Sequence, residues 1–243
     1  MYSGLYTAVL GMKAREKTLE VQANNIANSS TDGFKAERLS YSTFETDERG
    51  SPDSQPTVAG VLASSSTDYS TGQLRETGAT LDVSIRGDGF FKIQTERGPR
   101  FTRAGSFSQD AAGQLVTKNG DLVLGDQGPI TLPKDATVAI TRDGVITAKG
   151  KPIGKISVAR FDNPVTALKK DGDSLFALTG EGEAADVPNP DILQGTLESS
   201  NVNPVNEMVE MINNTREFES LQRSVTLMMN DVGKKISTEL GRA

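Results

Sequence analysis

Near the start of the chain, apolar residues recur with a period of seven: Leu5, Met12, Leu19 and Ile26, with Ala8 and Val9 between them. That spacing predicts a helix over residues 1–28 with a narrow apolar stripe, suited to a partner helix rather than to a core of its own. The helix runs into Ala23–Lys35, where Asn, Ser, Thr and Gly collect. These residues compete with helical hydrogen bonds or tolerate left-handed backbone, so 29–35 read as its terminus. A second stripe closes the chain: Met208, Met211, Thr215, Phe218, Gln222, Val225, Met229, Val232 and Ile236, three and four apart. Asn203 before Pro204 predicts its N-cap, with proline at the first helical position. The two stripes are expected to pair with each other. The plainer alternative is two ordinary amphipathic helices on a globular core.

Between the helices the pattern changes twice. Residues 36–71 hold no lasting periodicity, and Ser, Thr, Asp, Gly and Pro dominate Ser51–Thr67. They read as an extended connector or a surface loop. From Gly72 apolar and polar residues alternate: Leu81, Val83 and Ile85 around Asp82 and Ser84, followed by Gly87-Asp88-Gly89 and Phe90-Phe91-Lys92-Ile93. Short apolar runs continue at Leu115–Thr117, Leu122–Leu124, Ile130–Leu132, Val138–Ile140, Val145–Ile146, Ile156–Val158 and Leu175–Leu178. Short strands with Gly-rich turns predict an all-β unit over 72–195. The expected organisation is an N-terminal helix in 1–35, a connector in 36–71, the β domain in 72–195 and a C-terminal segment in 196–243. The fold class is thus mainly β in the centre, with α-helical, coiled-coil-like ends that pair into an elongated, discontinuous helical domain. The β domain is expected to fold alone.

Composition narrows the chemistry. Of 243 residues, 35% are hydrophobic and only 5% aromatic, with no Trp; that is thin for one compact core and fits an elongated molecule. A net charge of −6 argues against binding nucleic acid. The chain has neither Cys nor His, which removes disulfides, thiolate metal sites and the commonest general base. No apolar run reaches the ~18 residues of a membrane span. No basic region precedes Leu5, and Lys13 and Arg15 interrupt any apolar leader, so no cleaved signal peptide is expected.

No constellation supports catalysis. Gly87-Asp88-Gly89 has Lys92 where a phosphate loop needs a third Gly, and it lies between strands. Asp171-Gly172-Asp173 lacks the further ligands of a calcium loop. Glu181/Glu183 lie in a polar loop and Glu207/Glu210 on a helix flank; solvation is the default for both pairs. Asn24, Asn25 and Asn28 are placed to satisfy backbone groups at a helix end. No enzyme activity, cofactor, metal or small-molecule substrate is expected. A competing reading is a carbohydrate- or peptidoglycan-binding β domain with a terminal coiled coil, for which the absence of Trp leaves poor sugar platforms.

Three motifs carry a family resemblance. Ala23-Asn24-Asn25-Ile26-Ala27-Asn28, followed by Thr31-Asp32-Gly33-Phe34-Lys35, resembles the N-terminal signature of bacterial flagellar rod and hook proteins. Leu197-Glu198-Ser199-Ser200-Asn201-Val202-Asn203-Pro204-Val205 resembles their C-terminal signature. Leu81–Phe91 and Phe101–Phe107 match the middle of the same family. Ser29-Ser30 stands where the family often has Val-Asn, which bears only on the register of that turn. Length favours a rod member over a hook member, and Met1–Tyr6 with Gly98–Arg103 favours a proximal over a distal rod position. The resemblance implies a structural subunit that transmits torque and polymerises with itself and other rod subunits. It implies passage through the flagellar type III export apparatus without signal cleavage, a place in the periplasmic rod, and no membrane insertion. The assembly residues are then Leu5, Met12, Leu19, Ile26, Met208, Met211, Phe218, Val225 and Val232. The family-motif residues are Asn24, Asn25, Ala27, Asn28, Gly33, Phe34, Glu198, Ser199, Asn201 and Val202.

Overall fold

The computed structural model describes residues 2–46, 57–134, 137–180 and 182–240. The chain divides into two units. The first holds helix α1 (Tyr2–Ala27), the strand Glu37–Thr46, the strand Thr57–Thr67 as far as Ser66, and helix α3 (Pro204–Leu240). The second holds residues 28–36 and 67–202, including the short helix α2 (Pro164–Ala167). No described helix is long and apolar enough to cross a membrane.

In the first unit, α3 begins where its sequence dictates. Asn203 Oδ1 accepts from the backbone N–H groups of Val205 at 3.1 Å and Asn206 at 3.2 Å, and Pro204 follows at the first position, where no N–H is needed. At ~1.5 Å per residue its 37 residues span about 55 Å. α1 and α3 run antiparallel, as their contacts show. Arg15 donates to Asn214 Oδ1 at 2.9 Å and pairs with Glu217 at 2.6 Å, while Asn214 donates to Gln22 Oε1 at 3.0 Å. The half-buried positions of α3 step by four and three: Glu207, Met211, Asn214, Phe218, Leu221 and Val225. Residues 36–71, expected as a connector, contain the paired strands Glu37–Thr46 and Thr57–Thr67. The first of these is tied to α1: Tyr41 Oη donates to Ala14 O at 2.6 Å and lies 2.5 Å from Thr18 Oγ1.

The second unit is built on antiparallel strands. Phe90–Thr95 is its hub, paired with Gly98–Thr102, Leu122–Gly125 and Val158–Arg160 in a ten-stranded sheet. Alternation sends neighbouring side chains to opposite faces, so Phe91 and Ile93 enter one apolar cluster and Phe90 another. The first cluster includes Val83, Ile85, Val123 and Ile156; the second gathers Phe101, Phe161 and Phe176. The few aromatic residues are concentrated there, with Phe101 edge-on to Phe161 at 4.9 Å and Phe90 edge-on to Phe176 at 5.7 Å. Two small sheets recruit the chain's later residues: Asp191–Gln194 pairs with Val83–Arg86, and Thr196–Glu198 pairs with Leu74–Glu76. The predicted runs at Phe90, Leu115, Leu122, Val138, Val145 and Leu175 all begin strands. Ile130–Leu132 does not: the strand there is Gly128–Pro129, and Ile130 and Leu132 point into the core from irregular backbone. Lys151–Lys155 and Leu168–Lys170 are strands without an apolar alternation to announce them.

Candidate functional site

The later part of the N-terminal signature, through Lys35, and the earlier part of the C-terminal one, Leu197–Val202, meet in the second unit around one buried carboxylate. Glu198 leaves the short strand Thr196–Glu198 with its side chain 1% exposed. Its Oε1 accepts from Lys35 Nζ at 2.5 Å and from the Gly72 N–H at 2.9 Å. Its Oε2 faces Arg103 Nη1 at 3.4 Å. Lys35, fully buried, also donates to Ser70 O at 2.6 Å. Arg103, 3% exposed, donates to Ile85 O at 3.2 Å and to Gly87 O, so the β core itself fixes the guanidinium. Two cations thus share one anion away from water. Burial holds the Lys35 ammonium below its ordinary pKa of 10.5, against the opposing pull of Glu198, and burial likewise lowers Arg103.

The backbone around this cluster is bonded across the same two signatures. Gly33 N–H donates to Glu198 O at 2.7 Å, Ala36 N–H to Asn201 Oδ1 at 2.8 Å, and Asn201 Nδ2 to Asp68 O at 2.9 Å. Gly33 is required here: its φ is +69°, and a Cβ would lie 2.3 Å from Ala104 N. Gly72 is equally confined, since a Cβ would lie 1.9 Å from Ser199 O. Phe34, Ala36 and Val202 form a small apolar cluster of their own. Lys170 Nζ sits 4.2 Å from the Phe34 ring centroid, a cation–π contact. Asp32 pairs with Arg75 at 3.1 Å and Lys118 at 3.7 Å.

The remaining predicted residues fall as follows. Asn25 is buried in the first unit, and its amide bonds both ways with the backbone of Glu37, at 2.9 Å each, as a neighbouring strand would. Asn24 and Ala27 are exposed; Asn28 and Ser199 are half-buried in the second unit. Met12, Leu19, Ile26, Met211, Phe218 and Val225 are half-buried in the first unit. Met208 is exposed, and the side chains of Leu5 and Val232 lie outside those described, as does Glu181. Thr215 and Gln222 are exposed as well; Asn214 and Leu221 take the half-buried places. Beside Met208 the outer face of α3 carries a shallow groove of about 400 Å³ lined by Met208, Met211, Ile212, Thr215 and Arg216. Glu207 is half-buried on α3, where burial and the neighbouring Glu210 raise its pKa.

Sequence reasoning missed Lys35, Gly72 and Arg103 as site residues. Lys35 and Arg103 stand within the quoted motifs, yet nothing in local spacing marks them as partners of a carboxylate 163 residues from Lys35. Among the described residues, no group of three or more acidic side chains is placed to hold a metal ion.

Comparison with known proteins follows the same three stretches. Residues 5–35 match the family model described as flagella basal body rod protein, 84–148 that of the flagellar hook protein FlgE/F/G D1 domain, and 193–228 that of the flagellar basal body rod FlgEFG protein C-terminal. The flagellar basal-body rod protein FlgF of Caulobacter vibrioides is 34% identical over 226 residues, covering 92% of this chain and 92% of the relative. FlgF of Salmonella typhimurium is 34% identical, with 96% and 97% covered. The flagellar basal-body rod protein FlgG of Bacillus subtilis is 36% identical, with 93% and 95% covered.

Proposed function

The chain belongs to the flagellar basal-body rod protein family, and from that premise we propose that it occupies the proximal rod and polymerises there through coiled-coil packing of its terminal helices against those of neighbouring subunits. It is a structural subunit of the basal-body rod and not an enzyme, and such rod proteins assemble with other axial flagellar proteins. The proposal extends to copies of the same chain as neighbours, to a periplasmic location, and to passage through the flagellar type III export apparatus without signal cleavage.

One observation supports assembly through α3 above the others. Val205, Met208, Val209 and Ile212 are 66%, 49%, 54% and 54% exposed, on a helix whose opposite side meets α1. Burying such side chains is worth roughly 1.5–3 kcal/mol each, so the wet face favours a partner. Met208→Asp tests it, because the substitution leaves the α1–α3 contacts intact while placing a charge on the outer face. The purified variant should melt like the parent, yet cells carrying it should lose motility and show no subunit in isolated basal bodies. Normal swimming with the variant in the rod would sink the assembly reading. A labelled subunit found at the hook end of the rod would move the chain to the distal position.

A further inference from the structure

We propose that Lys35, Arg103 and Glu198 form a charge lock that seats the two signature segments on the β core of the second unit, and that opens without unfolding that core. The lock's receiving half is built by the core alone, since Arg103 is held by the carbonyls of Ile85 and Gly87. Its other half arrives on two segments far apart in the chain, Lys35 on one and Glu198 on the other. Until Glu198 arrives, the acid beside Arg103 is Asp88 of the core turn, and no carboxylate pairs with the guanidinium across the segments.

Apolar burial on the same segments rests on a few side chains, Leu197 beside Glu198 among them. Phe34, Ala36 and Val202 make a cluster separate from the two large ones, which contain the strands of the main sheet. Hydrogen bonds and charge therefore decide whether the segments stay seated, and segments held this way open as a local unit. The charge count makes the hold conditional. With Glu198 ionised, one anion faces two buried cations; with it neutral, two like charges are left in a medium that screens them poorly. The further acids near the cations are Asp68 beside Lys35 and Asp88 beside Arg103, and both act in the same direction as Glu198.

The test is amide hydrogen exchange on the full chain. Glu198→Gln keeps the shape and the acceptor oxygen but removes the charge. Exchange at Gly33, Ala36 and Gly72, whose N–H groups bond across the lock, should rise at least about tenfold, while Leu115 and Ile130, bonded within the core, stay unchanged. Lys35→Met removes the surplus cation, and Ser70 O keeps a donor in Asn201 Nδ2 at 3.2 Å. That variant keeps the Arg103–Glu198 pair, so exchange at Gly33 and Gly72 should rise, but by clearly less than in Glu198→Gln. The lock is overturned if Glu198→Gln leaves these amides protected. It is also overturned if the core amides lose protection in parallel, or if Lys35→Met opens the segments as far as Glu198→Gln does.

Discussion

At Lys35, burial of an ammonium outweighs the carboxylate 2.5 Å away and pulls its pKa below 10.5. Linkage gives the consequence a sign. Between the lowered native pKa and 10.5, the unfolded chain still binds a proton that the native chain has released. Stability therefore rises with pH across that window, the reverse of the usual loss for a lysine that gains a partner. Denaturant midpoints of parent and Lys35→Met, compared from neutral pH to 10.5, should show the parent gaining on the variant as pH increases. A parent that loses ground would mean that Glu198 stabilises the ammonium more than burial penalises it. The same residue explains why a costly charge cluster persists in a structural protein. Buried ion pairs contribute little net stability, but they penalise every arrangement in which a partner is missing. Asn25 does related work with a neutral amide, pairing both ways with the backbone of Glu37.

Among the elements, α3 shows how periodicity and packing divide the decision. Its stripe was expected on Met208, Met211, Thr215, Phe218, Gln222 and Val225, but the half-buried row is Glu207, Met211, Asn214, Phe218, Leu221 and Val225. Every second position agrees, and the others shift by one residue. The shift has a polar cause: Asn214 bonds with both Arg15 and Gln22 of α1. Thr215, left outside, returns its hydroxyl to Met211 O at 2.8 Å, as Thr226 does to Gln222 O at 2.8 Å. The start of α3 rests on Asn203, which satisfies two orphan N–H groups. Asn203→Ala should destabilise the first turn by about 1 kcal/mol and raise exchange at Val205 and Asn206 severalfold. Unchanged exchange there would show that Pro204 alone suffices to start the helix.

For the whole molecule, chain order and compact unit do not coincide. The second unit takes residues 28–36 from before the strands of the first and keeps the chain through 202. A fragment of 72–195 would lack Lys35, Glu198 and Asn201, and its strand Leu74–Glu76 would lose Thr196–Glu198 as a neighbour. Arg103 would lose its carboxylate, and the contacts of the Gly33 and Glu198 segments with the core would go with it. The fragment 28–202 should therefore melt at least ~10 °C above 72–195. Equal melting temperatures would return the boundary to 72–195 and assign the signature segments a role outside the fold.

The sequence by itself determined the terminal helices, the cap at Asn203 and most of the alternating strands, because seven-residue and two-residue periods are local properties of a chain. It also carried the family signatures at both ends. The pairing of Glu37–Thr46 with Thr57–Thr67 was hidden, since backbone hydrogen bonds hold a sheet whose residues need not alternate. The cluster at Glu198 was hidden for a different reason. A lysine, an arginine and a glutamate look alike in a solvated loop and in a buried network, and no local pattern states which will meet. Only the tertiary structure brings Lys35, Arg103 and Glu198 within bonding distance, because the core that excludes water from them is assembled from strands distributed along the intervening chain.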